Sequence, residues 1–367
     1  MTDPSPGAPA EPRHILHVFP SFAVGGGQSR LVQLVRGFGS RYSHTVVALN
    51  GCYDMAAQMP AGAPLTCRNS DAGRGLGNIL SMRRFIAAAA PDVLVTYNWG
   101  SVEWATANRL LPLARHVHIE DGFGPEERDR QIPRRVWFRR LALSGRHTIV
   151  ILPSRTLLKI AIEQWRLRPD SLRYIVNGID CDRFAVLERP AGPVTIGTVA
   201  SLRREKNLQR LIRGFAAASR LRPGLKLMIV GDGPERPALE ETARAEGCTA
   251  AVEFTGATTT PEHFFARMHV FAMSSDTEQM PLGVLEAMAA GLPVVATDVG
   301  DIKDMIAPDN RRFVTPLTDD DAGLSRSFIE LADNASLRQM LGQANRQKAL
   351  SEYDYRQMTA KYAELFG

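Results

Sequence analysis

Glu278 and Glu286 stand with seven residues between them in SSDTEQMPLGVLEAMAAGLPVVATDVG, residues 274–300. Between them lies Pro281, a residue suited to the first helical position because it has no N–H to lose and a fixed φ. The spacing therefore predicts a helix start at which the backbone amides of Leu282, Gly283 and Val284 point outward. Free amides at a helix N-terminus form an anion site suited to phosphate. Glu286 lies about one turn into the helix and Glu278 on the loop before it. Carboxylates accept strong hydrogen bonds from hydroxyls, so the combination suits a ligand with both a diphosphate and hydroxyl-rich sugars. The plain alternative is a pair of solvated acids favoured by the helix dipole. The apolar strand before the pair and the EAMAAG run after it weigh against that alternative.

A diphosphate that leaves in a reaction needs fixed cations. Lys206, Arg203 and Arg204 in VASLRREKNLQRLI, residues 199–212, are candidates for them, against the plain reading of a solvated basic turn. Near the other end of the chain, Gly25-Gly26-Gly27 follows the β-like run HILHVFPSF. Glycine permits close backbone approach, but GGG is not GxGxxG, which counts against a dinucleotide oxidoreductase. Polar residues also end two apolar strands. Asn98 follows VLVTY, and Glu120-Asp121-Gly122 follows HVHI. On a strand, His118 shares a face with Glu120 and opposes Asp121. Asp121 is the candidate catalytic residue of this side, and Asn98, His118 and Glu120 are the candidate acceptor-side residues, with ordinary strand-end turns as the plain alternative. The stretch RDRQIPRRVWFRR, residues 128–140, sets Trp137 and Phe138 among arginines. It suits an anionic membrane surface or a lipid-diphosphate acceptor, against the plainer reading of an exposed helix whose arginine stems cover apolar surface. No RNA- or DNA-binding motif accompanies the basic charge.

These residues need elements to hold them. Apolar runs that read as strands alternate with segments of helical spacing, such as Leu31, Leu34, Val35 and Phe38 after the glycines. Strand–helix alternation predicts parallel βαβ units and an α/β fold. At VLERPAGP, residues 186–193, the pattern breaks and then restarts with VTIGTVA. The expected organisation is a leader over residues 1–12, a doubly wound domain over 13–185, the linker 186–193, a second doubly wound domain over 194–350, and a C-terminal helix over 351–367 that packs back on the first domain. Residues 1–185 carry 23 Lys+Arg against 15 Asp+Glu, and residues 186–367 carry 21 against 24. The basic and mildly acidic halves fit two domains with different partners. The 44% hydrophobic content excludes disorder of the whole chain. Four scattered cysteines form neither a disulfide framework nor a zinc site. No apolar run reaches ~18 residues, the least a membrane span needs. A cytoplasmic location is expected, with attachment at the inner membrane face through residues 128–140.

Taken together the motifs resemble the family-4 glycosyltransferases of the GT-B fold. Residues 274–300 resemble the family's C-terminal signature, VGGGQSRLV its glycine loop, YIVNGIDCDRF (174–184) its interdomain element, VASLRREKNLQRLI its phosphate loop, and IVGDGPE (229–235) the turn after it. The resemblance implies two Rossmann-like domains facing across a cleft. It implies transfer of a sugar with retention from a nucleoside-diphosphate-sugar, UDP- favoured over GDP-, to a hydroxyl of a glycan or lipid-linked acceptor, without a metal or other cofactor. By position, Glu286 matches the glutamate that holds the ribose, Glu278 the one that contacts the transferred sugar, and Lys206 the lysine on the leaving diphosphate. Gly25 and Gly26, with Met280, Pro281, Leu282 and Gly283, match the loops around the donor. Ser201 stands where the family has an arginine, and Arg203 is taken in its place. Asp121 stands where the family has a histidine. A nucleotide-sugar epimerase and a non-catalytic nucleotide-sugar-binding protein are the competing readings on the same fold.

Overall fold

The computed structural model describes residues 12–72, 75–109, 111–127, 130–185, 188–319 and 321–367. Residues 1–11 of the expected leader, linker residues 186–187, and Arg128 and Asp129 of the arginine-rich stretch lie outside the described residues. The apolar runs form strands covered on both faces, as a parallel sheet between helices requires; all five residues of VLVTY are buried.

Two parallel sheets result. The first contains β1 (Arg13–Phe19), β2 (Tyr42–Ala48), β3 (Leu65–Cys67), β4 (Val93–Tyr97), β5 (Arg115–Ile119), β6 (Thr148–Leu152) and β7 (Leu172–Tyr174) in the order β3-β2-β1-β4-β5-β6-β7. The second contains β8 (Thr195–Val199), β9 (Lys226–Val230), β10 (Val252–Gly256), β11 (Val270–Met273), β12 (Val294–Thr297) and β13 (Val314–Thr315) in the order β10-β9-β8-β11-β12-β13. The winding direction reverses between β1 and β4, and again between β8 and β11. Ligands of such sheets lie outside the carboxyl ends of the strands at these switch points. The glycine loop follows β1, Asn98 follows β4, the basic loop follows β8 and the acidic loop follows β11, so all four motifs open onto that crevice.

Several elements depart from the sequence pattern. The run YIVNG reads as a strand, but β7 ends at Tyr174. Beyond it the backbone N–H groups of Asn177 and Gly178 turn to Met280 Sδ and Met358 Sδ instead of a neighbouring strand. The run VEWATANRLLPLA, residues 102–114, has helical spacing, but its helix ends at Arg109, where the Asn108 side chain takes the amides of Leu113 and Ala114 and turns the chain into β5. β3 and β13 are edge strands too short to show a pattern.

The chain passes between the two cores twice. Ile175 packs in the first core, and Ile179, Cys181 and Phe184 pack in the second. At the far end, Tyr353 belongs to the second core, whereas Met358, Tyr362 and Phe366 of the helix Tyr355–Phe366 pack into the first. The two crossings are tied together: Ile179 N–H donates to Tyr353 O at 2.8 Å, and Tyr355 N–H donates to Ile179 O at 3.0 Å.

The first sheet also buries histidines on both faces of β4. His17 bonds Tyr97 Oη at 2.9 Å and His44 at 3.0 Å. On the opposite face Thr96 Oγ1 bonds His116 and His118, each at 2.9 Å. Burial holds the His116 imidazole down to about 3 and that of His44 to about 4, and His17 lies well below its ordinary value through burial and then the neighbouring His44. The unfolded chain therefore binds protons below pH ~6.5 that the native chain refuses. The stabilisation is complete above that pH and falls as pH drops, by up to about 1.4 kcal/mol per pH unit for each such histidine. Thermal melts should show a Tm several degrees lower at pH 5.5 than at pH 7.5. A Tm that is unchanged or higher at pH 5.5 would contradict this account.

Candidate active site

The acidic loop and the basic loop are stitched into one unit. Lys206 Nζ donates to Glu278 Oε1 at 2.5 Å, and Ser275 Oγ donates to the same oxygen at 2.8 Å. Ser274 Oγ donates to the carbonyls of Lys206 and Asn207 at 3.1 and 3.0 Å. Asp276 receives Asn207 Nδ2 at 3.0 Å and Arg210 Nη1 at 2.8 Å. Gly300 lies beneath this loop with φ +57°, and a Cβ there would sit 2.5 Å from Glu278 O, so only glycine lets the chain pass. Arg203 and Arg204 are both exposed and line a cavity of about 440 Å³ with Asn207, Gln209, Glu235 and Asp276.

Pro281 occupies the cap position of the helix Leu282–Ala289, one place before the position the sequence pattern assigns it. Val284 N–H is spent on Pro281 O at 3.2 Å. Val284 is therefore removed from the expected anion site, and the amides of Leu282 and Gly283 head it. Across the cleft, Gly25 caps the helix Gly26–Phe38 in extended backbone, without a side chain in the way. A Cβ on Gly26 would lie 3.6 Å from Leu282 Cδ1. Two helix N-termini from different domains thus meet, each with the positive end of its dipole toward the same space. Glu286 is half-buried one turn in. Burial, opposed by Arg183, raises its carboxyl to about 7.

On the opposite wall Asp121 is fixed by Arg30, and its backbone N–H donates to Asn98 Oδ1 at 2.7 Å. Asn98 adopts φ +55°, ψ −178°, a costly conformation for a residue with a Cβ. Gly122 faces Gln279, to whose Cγ a Cβ would come within 3.2 Å. Met280 is buried, with its carbonyl and sulfur both taken by Asn177. Asp121, Asn98, Gly26, Met280, Leu282, Glu278 and Lys206 are thereby brought to one cleft.

His118 and Glu120 are not. Both are 0% exposed. Strand alternation turns them away from Asp121 and beneath the helix Pro133–Leu143, where His118 Nε2 lies 3.5 Å from Glu120 Oε2 and Arg139 Nε 3.4 Å from the same oxygen. The acceptor-side expectation for His118 and Glu120 is corrected accordingly. Arg139 is likewise no surface cation. It is 0% exposed, pairs with both oxygens of Glu127 at 3.0 and 2.8 Å, and lies over the Trp99, Phe123 and Trp165 rings. Arg135 pairs with Glu126 and Glu127. Among the described residues of the stretch, Arg130, Pro133, Arg134, Trp137 and Arg140 are exposed.

Sequence reasoning missed Arg30, Asn177 and Asp301. Asp301 of the second domain receives Arg155 N–H at 2.5 Å and Thr156 N–H at 3.2 Å, and so caps the first-domain helix Arg155–Glu163. The one signal for Arg30 was a charge on the apolar face of its helix.

A nucleotide whose ribose is held by Glu286, as the family resemblance implies, would bind in a pH-dependent way. The ionised carboxylate is the form that accepts ribose hydroxyls, and it gains population as pH rises through about 7. Calorimetry with a nucleoside diphosphate should show affinity rising between pH 6 and pH 8 more steeply than in Glu286→Gln. Identical pH dependence in the two proteins would remove Glu286 from the ribose.

A family model described as Glycosyltransferase Family 4 matches residues 24–183, and one described as Glycosyl transferases group 1 matches residues 182–348. A GDP-mannose-dependent alpha-mannosyltransferase of Mycobacterium tuberculosis is 34% identical over 192 residues, 49% of this chain and 47% of the relative. The lipopolysaccharide core biosynthesis glycosyltransferase LpsE of Rhizobium meliloti is 28% identical over 181 residues, 49% and 52% of the two chains. The chain spans about half the length of these curated relatives. Among solved structures, sucrose-phosphate synthase from Thermosynechococcus elongatus superposes with a TM-score of 0.80 at 17% identity, over 96% of this chain and 98% of that one. Anabaena Alr3699/HepE in complex with UDP and glucose gives 0.81 at 17% identity, over 96% and 99%. At such identities the likeness is one of fold, two Rossmann-like domains in the GT-B arrangement. With the two family models covering adjacent halves, the chain belongs to the family-4 glycosyltransferases.

Proposed function

We propose that the chain transfers a sugar from a nucleoside-diphosphate-sugar to a hydroxyl of a glycan or lipid-linked acceptor, with retention and without a metal, in polysaccharide or glycolipid synthesis. The observation that carries this reading is the meeting of two helix N-termini at Gly26 and Leu282. A diphosphate placed there faces free amides from both domains. As the bond between the sugar C1 and the β-phosphate oxygen breaks, negative charge grows on the diphosphate, and interactions that strengthen with that charge lower the barrier. Lys206 and Arg203 supply them together with the amides of Gly26, Leu282 and Gly283. The acceptor hydroxyl bonds to C1, and its proton leaves on the departing diphosphate. Glu278 holds hydroxyls of the transferred sugar, Glu286 holds the ribose, and Asp121 meets the sugar from the first domain. Retention and the metal-free reaction rest on the family resemblance.

The relatives divide over the base: the mycobacterial one is named for GDP-mannose, and HepE is seen with UDP. A panel of UDP- and GDP-sugars, read by nucleoside diphosphate release with and without lipid-linked acceptors, tests the reading. Release should depend on the acceptor. Arg203→Ala and Lys206→Ala should each lower kcat at least about tenfold, the loss expected when a contact made to developing charge is removed, and Arg204→Ala should stay near wild type. Interconversion of the donor with no acceptor points to the epimerase, and nucleotide binding without turnover to a binding protein.

No helix among the described residues is long and apolar enough to cross a membrane. Peripheral attachment at the inner face would bring the cleft to a lipid-carried acceptor. Trp137 is 63% and Leu141 41% exposed on the helix Pro133–Leu143, beside the exposed Arg134 and Arg140. Each arginine near an anionic surface contributes about 1 kcal/mol. The protein should pellet with anionic vesicles at low salt and be released at high salt. Replacing Arg134 and Arg140 by Gln and Trp137 by Ala should abolish pelleting and spare nucleotide binding. Equal pelleting with neutral vesicles would count against the surface.

A further inference from the structure

Arg30 is 4% exposed on the inner face of the helix Gly26–Phe38, among Leu31, Leu34 and Val35. Arginine is almost never buried unless paired, and the partners here all lie at the cleft. Nε and Nη2 both donate to Asn177 Oδ1, at 3.1 and 2.6 Å, and Nη2 also donates to Asp121 Oδ1. Asn177 Nδ2 donates onward to the Met280 carbonyl at 3.1 Å. One guanidinium therefore joins a strand-end carboxylate of the first domain to the donor loop of the second. Burial disfavours the Arg30 charge, and the Asp121 carboxylate more than offsets it.

The carboxylate is held from several sides at once. Asn98 Oδ1 takes the Asp121 amide from a strained backbone. Asp121 Oδ2 is pressed toward the glycine loop, 2.6 Å from where a Cβ on Gly27 would stand. That oxygen is buried without a hydrogen-bond partner among the described residues, a costly state inside a protein that a hydroxyl of bound substrate would relieve. Tyr362, from the C-terminal helix, closes the far side of Arg30, and its burial pushes the phenol up to about 12.

We propose that Arg30 is a positioning residue for sugar transfer: it sets the Asp121 carboxylate against the glycine loop and, through Asn177 and Met280, does so only when the donor loop is docked. This rests on reading the cleft as a glycosyl-transfer site. A lysine has the charge but not the planar fork that reaches Asp121 and Asn177 together.

The experiment uses the full chain with whichever donor the wild type turns over in the UDP- and GDP-sugar panel. Arg30→Met, Arg30→Lys, Asp121→Asn and the double change Arg30→Met/Asp121→Asn are compared for kcat, donor KM, nucleoside diphosphate affinity and Tm. Arg30→Met should lower kcat at least tenfold with nucleotide affinity within twofold of wild type, and Arg30→Lys should recover part of the rate. In the Asp121→Asn background the same change should cost less than threefold, because the carboxylate it positions is gone. Should Arg30→Met fail to fold, Arg30→Lys made in both backgrounds carries the same comparison. Equal losses in both backgrounds, or a parallel fall of nucleotide affinity and rate, would show a merely structural arginine and overturn the proposal. A wild type that turns over nothing on the panel would sink the glycosyl-transfer reading and this inference with it, whereas an active wild type beside an unaffected Arg30→Met would sink this inference alone.

Discussion

Two helices from different domains point their N-termini at each other, with Gly26 of one within contact range of Leu282 of the other. Each end carries about half a positive charge in unsatisfied N–H groups, so the arrangement is poorly balanced until an anion sits between them. The rest of the cleft follows from that constraint. Glycines at 25–27 keep side chains out of the gap. Pro281 ends the donor loop without offering an N–H of its own. Lys206, which would add to the positive field, is held by Glu278 at 2.5 Å. The lysine and the glutamate thus neutralise each other across the two loops.

The domains are held at this separation by polar contacts between their loops. Asp301 caps a helix of the other domain, Ser154 Oγ donates to Gln279 at 3.1 Å, and Asn177 reaches Met280. These contacts are short and directional. An interface of this polar kind lets domains move relative to one another, and its contacts end within a few residues of Glu278 and Asp121. Any movement of one domain against the other is therefore felt directly at Glu278 and Asp121.

The sheets were legible in the sequence because each central strand is a run of apolar residues between helical repeats, and the loops were legible because Pro281, the glycines and Lys206 do local work at their own positions. What stayed hidden depends on partners far along the chain. Arg30 looks like a surface charge until Asp121 and Asn177 are brought to it across 91 and 147 residues. Arg139 is concealed among arginines that do face water, and only the register of β5 against the helix above it shows that Glu120 points inward to meet it. YIVNG has the composition of a strand, yet its amides are claimed by two methionine sulfurs from elsewhere in the chain.

The C-terminal helix supplies Met358, Tyr362 and Phe366 to the core of the first domain. A nascent chain therefore cannot complete its first domain as it emerges. The part of the first core that Met358, Tyr362 and Phe366 fill stays open until the second domain has been synthesised and the helix Tyr355–Phe366 returns to cover it. Closing a loop of that length costs entropy before any contact repays it. Synthesis order and folding order are thus opposed: the half made first is finished last, and an interrupted translation leaves a first domain with an uncovered apolar groove, the kind of surface on which incomplete chains aggregate.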